Sequence, residues 1–157
     1  MQGDAAIIEL LNDCLTAELT AVNQYVVHAR MQENWGYERL AKHGRDESIE
    51  EMRHAEDLID RILFLDGVPN MQRLFPVKVG ETVKEQFAAE YVTEVDAINR
   101  YNGGISLCHE KGDAVSRALL ERLVAAETVH ADWLEAQLEL ITQTGPENYL
   151  AQQIRPE

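Results

Sequence analysis

One arrangement of side chains occurs twice in this chain, 76 residues apart. Glu18, Tyr25, Glu51 and His54 form the first set, and Glu94, Tyr101, Glu127 and His130 form the second. In both, Glu is followed after six residues by Tyr, and after twenty-five more by Glu-x-x-His. Residues three, four or seven apart share one face of a helix. Each set therefore predicts a helix carrying Glu and Tyr, a turn, and a second helix carrying Glu and His. Two such hairpins must face each other to bury these residues, which predicts an all-α bundle with pseudo-twofold symmetry.

The apolar pattern agrees with four long helices. Ile8, Leu11, Leu15, Glu18, Val22, Tyr25 and Ala29 step by three and four along the first. Glu51, His54, Leu58, Ile62 and Leu65 do so along the second, and Phe87, Tyr91, Glu94, Ile98, Tyr101, Ile105 and Cys108 along the third. Leu120, Leu123, Glu127, His130, Leu134, Gln137 and Ile141 complete the fourth. Breaks fall at Asn34 to Gly36, at Asp66 to Gly80 and at Gly112, with Asp113 as an N-cap. A helix of about 30 residues is about 45 Å long, and the extended Asp66–Gly80 segment reaches about 50 Å. That segment can run the length of the bundle, which predicts a crossover between helices two and three. Gly145-Pro146 ends helix four, and Glu147 to Ile154 predicts a short fifth helix. The whole, 1–157, reads as one domain.

Glu18, Glu94 and Glu127 interrupt otherwise apolar seams, and Glu51 with His54 heads another. Burying ionised carboxylates without partners is costly. No Lys or Arg lies on the seams near them, and Arg61, further along helix two, is the nearest cation. Four carboxylates and two neutral imidazoles carry −4, which two divalent cations cancel. Mixed carboxylate and imidazole ligation suits iron or manganese and tolerates zinc. The six candidate ligands are thus Glu18, Glu51, His54, Glu94, Glu127 and His130. Tyr25 and Tyr101, on the same faces, are placed to hydrogen-bond the carboxylates, and Trp133, three residues after His130, to wall the site.

Composition excludes several classes. A net charge of −14 argues against unaided nucleic-acid binding and suits a surface that attracts cations. No apolar run is long enough to span a membrane. The opening MQGDAAIIELLND lacks a basic segment and does not read as a signal peptide. Cys14 and Cys108 form no disulfide framework and read as reduced thiols, so the expected location is cytoplasmic.

In ELTAVNQYVVHARMQENWG, ESIEEMRHAED, RILFLDGVPN, ETVHADWLE and GPENYLAQQI, with the opening MQGD, the chain resembles the bacterioferritins, haem-containing members of the ferritin superfamily. The resemblance covers nearly all of it. It implies a ferritin-like bundle whose ferroxidase ligands are the six residues that spacing selects, with Glu51 and Glu127 as bridges. It implies oxidation of Fe2+ by O2 or H2O2, storage of ferric mineral in a homo-oligomeric shell of 24 subunits, and electrons from a reductase or ferredoxin for release. It also implies haem b at a twofold interface, held by Met52 from each of two subunits. From its own position Met52 reads first as interface packing: it follows a seam residue by one, beside Ile49, with Leu19, Val22, Asn23 and Val26 expected to face outward too. No C-x-x-C-H motif occurs, so such a haem is not covalently attached. Some members of the family carry a His and an Asp on the inner surface below the metal pair; this chain has Asp46 and Glu50 there, with Glu47 between. These three acids read equally well as a solvated helix face.

Two further readings stay open. A di-iron peroxidase of the rubrerythrin kind is favoured by an attached C-x-x-C iron domain, which this sequence lacks. A metal-free helical adaptor using its acidic faces is told apart by metal analysis.

Overall fold

The computed structural model describes residues 1–155, which are helix and loop throughout. Helix α1 spans Ala5–Asn34, α2 Glu38–Phe64, α3 Val83–Lys111, α4 Ala114–Thr144 and α5 Pro146–Ala151. Local chemistry explains the boundaries. Asp4 caps α1 by accepting from the Ala6 amide at 2.8 Å, and Thr82 caps α3 through the Glu85 amide at 3.2 Å. Asp113 caps α4 by accepting from the Ser116 amide at 3.0 Å, as its sequence position predicts. Gly112 ends α3 with φ of 73°, a left-handed conformation that favours glycine.

The most extensive packing is α1 on α2 and α3 on α4, with α1 against α3 holding the two hairpins together. Two apolar clusters fill the bundle. One gathers Leu11, Leu15, Leu58, Ile62, Leu120 and Leu123. The other gathers Leu40, Phe87, Leu134, Ile141 and Tyr149 under α5. On α2 and α4 the Glu-x-x-His pairs lie in sequence between members of the two clusters, and Glu94 does the same on α3. Apolar packing above and below thus sets the height of a polar band across the bundle.

Residues 65–82 form the crossover, and they run alongside α1 in its own direction. Asn12 accepts from the Asn70 amide at 2.8 Å, and Arg73 reaches Asp13 and Thr16. Thr20 accepts from the Phe75 amide at 3.0 Å, Gln24 donates to the Lys78 carbonyl at 2.9 Å, and His28 accepts from the Gly80 amide at 3.0 Å. Successive turns of α1 therefore hold successive residues of the strap. Because α1 and α2 are antiparallel, the strap returns the chain to the end where α2 began. A Cβ on Gly80 would lie 2.4 Å from the Gln86 amide nitrogen, so only glycine lets the strap turn into α3 there.

His28 anchors the strap's far end. Its Nε2 accepts from Gly80, so Nδ1 carries the proton and donates to Glu90 at 2.9 Å. Glu90 is fully buried, and burial raises its pKa, opposed by the His28 hydrogen bond. His28→Ala is expected to orphan both the Gly80 amide and Glu90 and to cost about 3 kcal/mol. The check is a lowered unfolding midpoint together with faster tryptic cleavage after Arg73 and Lys78. Unchanged cleavage would show that the strap is held without it.

Two expectations need correction. Leu19 does not face outward: it is buried in the first apolar cluster, because α1 packs against both α2 and α3 and its buried face is wider than one seam. The fifth helix is also shorter than Glu147 to Ile154. It stops at Ala151, where the Gln152 and Gln153 amides turn back to Tyr149 and Leu150 and the Gln153 carbonyl accepts from the Arg39 amide at 3.1 Å. Pairing with the start of α2 replaces helix continuation.

Candidate metal centre

Glu18 from α1, Glu51 and His54 from α2, Glu94 from α3, and Glu127 and His130 from α4 converge inside the bundle. All six are buried. Their ligating atoms form two overlapping groups. Glu18, Glu51, His54 and Glu127 make one, with donor atoms within 4.8 Å of one another; Glu51, Glu94, Glu127 and His130 make the other. Glu51 and Glu127 belong to both. Each Glu-x-x-His pair presents both side chains on one face because three residues nearly complete a turn.

Both imidazoles turn Nδ1 toward the acids. His54 Nδ1 lies 3.0 Å from Glu127 Oε1, 3.5 Å from Glu51 Oε2 and 3.7 Å from Glu18 Oε2. His130 Nδ1 lies 2.9 Å from Glu51 Oε1, 3.6 Å from Glu127 Oε2 and 3.7 Å from Glu94 Oε1. The two phenols pair crosswise between hairpins: Tyr25 donates to Glu94 Oε1 at 2.6 Å, and Tyr101 donates to Glu18 Oε1. What remains is a set of buried oxygens that accept no hydrogen bond, namely Glu18 Oε2, Glu94 Oε2 and both oxygens of Glu51. Buried polar atoms are ordinarily satisfied. Orphaned carboxylate oxygens that converge on one space are the donor set of a hard or borderline divalent cation.

The electrostatics agree. Burial pushes the Glu51 carboxyl well above its ordinary value, and the neighbouring Glu18 and Glu127 charges push it further. Burial raises Glu94 likewise, reinforced by Glu127. Burial opposes protonation of His54, yet the Glu127, Glu18 and Glu51 carboxylates around its Nδ1 outweigh this and push it up to about 12. His130 moves the same way, with Glu127, Glu47, Glu51 and Glu94 outweighing burial. Burial also works against ionised Glu127, but the neighbouring Glu94 carboxyl and the His130 and His54 imidazoles hold it well below the usual carboxylate range. The cluster therefore gathers protons to balance its own acids, and two divalent cations carry the charge that would balance them instead.

The three acids on α2 separate into two kinds. Asp46 is exposed and pairs with Lys42 at 3.0 Å, a solvated face as one reading held. Glu47 and Glu50 instead close on the far side of His130, at 2.6 and 2.8 Å from Nε2. A signal for Glu47 was available, since it lies four residues before Glu51 and seven before His54 and continues that seam upward. Trp133 is not among the six. It stacks on His43 with ring centroids 3.7 Å apart and meets Phe87 edge-on, in the apolar cluster under α5. Arg61 is likewise spent elsewhere, on Asp113 at 2.9 Å and Ser116 at 2.8 Å. Met52 points outward on α2, exposed like Ile49 one turn earlier on the same helix.

Residues 8–144 match the ferritin-like domain family. The chain is 53% identical over 152 residues to the bacterioferritin of Mycobacterium bovis, covering 97% of this chain and 96% of that protein. The chain belongs to the bacterioferritin family. A more distant bacterioferritin, from Brucella melitensis, is 48% identical over 149 residues, 95% of this chain and 92% of its own. The solved Mycobacterium tuberculosis bacterioferritin BfrA superposes with a TM-score of 0.97 at 52% identity, covering 99% of this chain and 98% of that one. The bacterioferritin fold, four long helices with a short C-terminal one, is thus shared along nearly the whole length. Among the described residues no helix is long and apolar enough to cross a membrane.

Proposed function

We propose that this chain, as one ferritin-like domain over 1–157, is a cytoplasmic ferroxidase and iron store. The observation that carries this reading is the pair of overlapping donor groups within a single subunit, sharing Glu51 and Glu127. Two Fe2+ are the substrate. Glu18 and His54 would hold one as terminal ligands, Glu94 and His130 the other, and Glu51 and Glu127 would bridge them. Two ferrous ions at one site deliver two electrons together. With two protons they reduce O2 to H2O2, or H2O2 to two waters, and no one-electron oxygen product is released. The ferric product is then stored as mineral within a shell of 24 copies of this chain.

The residues around Met52 fit the haem that the family implies. An outward thioether one turn after exposed Ile49 would offer a sulfur ligand and part of an apolar wall. A twofold-related copy would supply the second Met52 and close the cradle. Haem b held there would supply an electron route to the stored ferric iron. A ferredoxin or reductase would supply them.

Anaerobic Fe2+ titration followed by oxygen exposure tests the whole reading. The expected result is a fast phase that saturates near about two Fe2+ per chain and a visible spectrum of a thioether-ligated haem. Met52→Leu is expected to keep the fast phase and lose that spectrum after haem reconstitution. Absence of any saturable fast phase in the assembled protein would defeat the ferroxidase assignment. An unaltered haem spectrum in Met52→Leu would defeat only the haem site.

A further inference from the structure

The six candidate ligands repeat across the two hairpins, but the side chains behind them do not. On the edge of the His130 ring away from the centre, Glu47 Oε2 lies 2.6 Å and Glu50 Oε2 2.8 Å from Nε2. Among the described residues only Glu50 approaches Nε2 of His54, at 3.9 Å. The 76-residue offset accounts for the difference. It pairs Glu47 with Leu123, Glu50 with Ala126 and His43 with Leu119, so the pseudo-twofold relation sets a core leucine opposite a carboxylate. Glu50 is half-exposed and faces both rings, so water competes for it. Glu47 is enclosed, at 14% exposure. Its Oε1 rests 3.6 Å from His43 Nε2, and His43 is fixed face to face on Trp133. Its Oε2 is buried and accepts no aligned hydrogen bond.

We infer that the two metal positions are unequal: Glu47, backed by His43, strengthens the position of Glu94 and His130, and metal departs from the position of Glu18 and His54. The inference rests on the dinuclear reading above and deepens it. An imidazole that binds metal through Nδ1 keeps its proton on Nε2. A carboxylate facing that N–H fixes the tautomer and the ring's orientation and makes Nδ1 a stronger donor. His130 has such a carboxylate, confined between the ring and His43, whereas the offset gives His54 a leucine. Glu47 is therefore a positioning residue for one ion of the pair. The outer edge of His54 instead lines an open hollow of about 540 Å3. There Glu50, Glu56, Asp57 and Asp60 outnumber Arg53 and Arg122, and Arg122 is paired with Asp57 at 3.0 Å. An acidic hollow draws a departing cation outward. The weaker position and the open side are the same one.

Loss of an outer partner lowers metal affinity by about 10–100-fold. The test is anaerobic Co2+ titration of the assembled protein, read by visible absorbance, in His54→Ala and His130→Ala backgrounds that each leave one position. The position kept in His54→Ala is expected to bind Co2+ about tenfold or more tightly than the one kept in His130→Ala. Adding Glu47→Leu, which copies Leu123, should remove that advantage and leave the other position nearly unchanged. Glu47→Gln, which still accepts a hydrogen bond, should remove less of it, and His43→Ala should act in the same direction as Glu47→Leu. In the loaded protein with both histidines, a chelator chase should release Co2+ in two phases, and in Glu47→Leu in one. The chase needs no histidine substitution, so it decides alone if those variants fail to fold. Equal affinities with a single chase phase, or an equal effect of Glu47→Leu on both positions, would overturn the inference and leave the dinuclear site standing. A third Co2+ per chain that Glu47→Leu abolishes would also overturn it, because Glu47 would then be a ligand itself. No Co2+ binding to the unmodified protein would overturn both.

Discussion

Glu127→Ala is expected to abolish the fast phase of ferrous iron oxidation, slowing it by more than about 100-fold. Residues that merely orient metal ligands are worth about 10–100-fold in affinity or activity, and Glu127 is a candidate ligand to both positions at once. Its removal takes Oε1 from beside His54, at 3.0 Å, and Oε2 from beside His130, at 3.6 Å. No neighbouring side chain replaces it, because Glu47 and Glu50 lie on the other edge of the His130 ring. The substitution should not unfold the chain. It removes one of four buried acids and so relieves repulsion felt by Glu51, whose carboxyl Glu127 helps to push upward. Stopped-flow oxidation and thermal melting separate the two effects. A redox-inert divalent ion should raise the melting temperature of the unmodified protein by mass action and leave that of the variant nearly where it was. A variant that kept its fast phase would remove Glu127 from the site.

Much of this centre was legible because it is periodic. A seam of three- and four-residue steps places Glu18, Glu51, Glu94 and Glu127 inside, and a 76-residue offset pairs them. The crossover was legible from length alone, since a segment of that reach has few uses in a helical bundle. What periodicity does not carry is the strap's attachment. Asn12, Thr20, Gln24 and His28 bond the backbone of residues 68–80, and backbone groups leave no mark in a sequence. The same limit hid the buried His28 and Glu90 pair, where two polar residues far apart in sequence satisfy each other. Leu19 was misplaced for another reason. A single seam describes a helix with one neighbour, whereas α1 has α2, α3 and the strap around it. Glu47 was underweighted because its seam was started at Glu51, one turn too late.

Metal loading at pH 6.5 is expected to release at least about two protons per chain, approaching about four. Ligands must be deprotonated to bind. The metal-free cluster keeps His54 protonated to about pH 12, and His130 is shifted in the same direction. Each imidazolium therefore gives up a proton on binding, and Glu51 and Glu94, both raised well above ordinary carboxyls, add theirs where they are still protonated. With all four protons on, the six side chains carry no net charge, and two divalent ions exchanged for those protons leave the cluster neutral again. Affinity should accordingly rise steeply with pH, by a factor of about 100 or more per unit for the pair of ions. Stability of the metal-free chain runs the other way. A histidine raised from about 6.5 contributes its full stabilisation below that pH and loses it as pH climbs toward the folded value. The raised Glu51 and Glu94 have the same sign, their penalty growing once pH exceeds the ordinary carboxyl range. Metal-free protein should thus melt at lower temperature at pH 9 than at pH 6.5, while Co2+-saturated protein should not. Calorimetric titration with Co2+ in buffers of different ionisation enthalpy counts the protons directly. A count near zero would mean that the imidazoles are already neutral before metal arrives, and the picture of protons holding the place of cations would have to be abandoned.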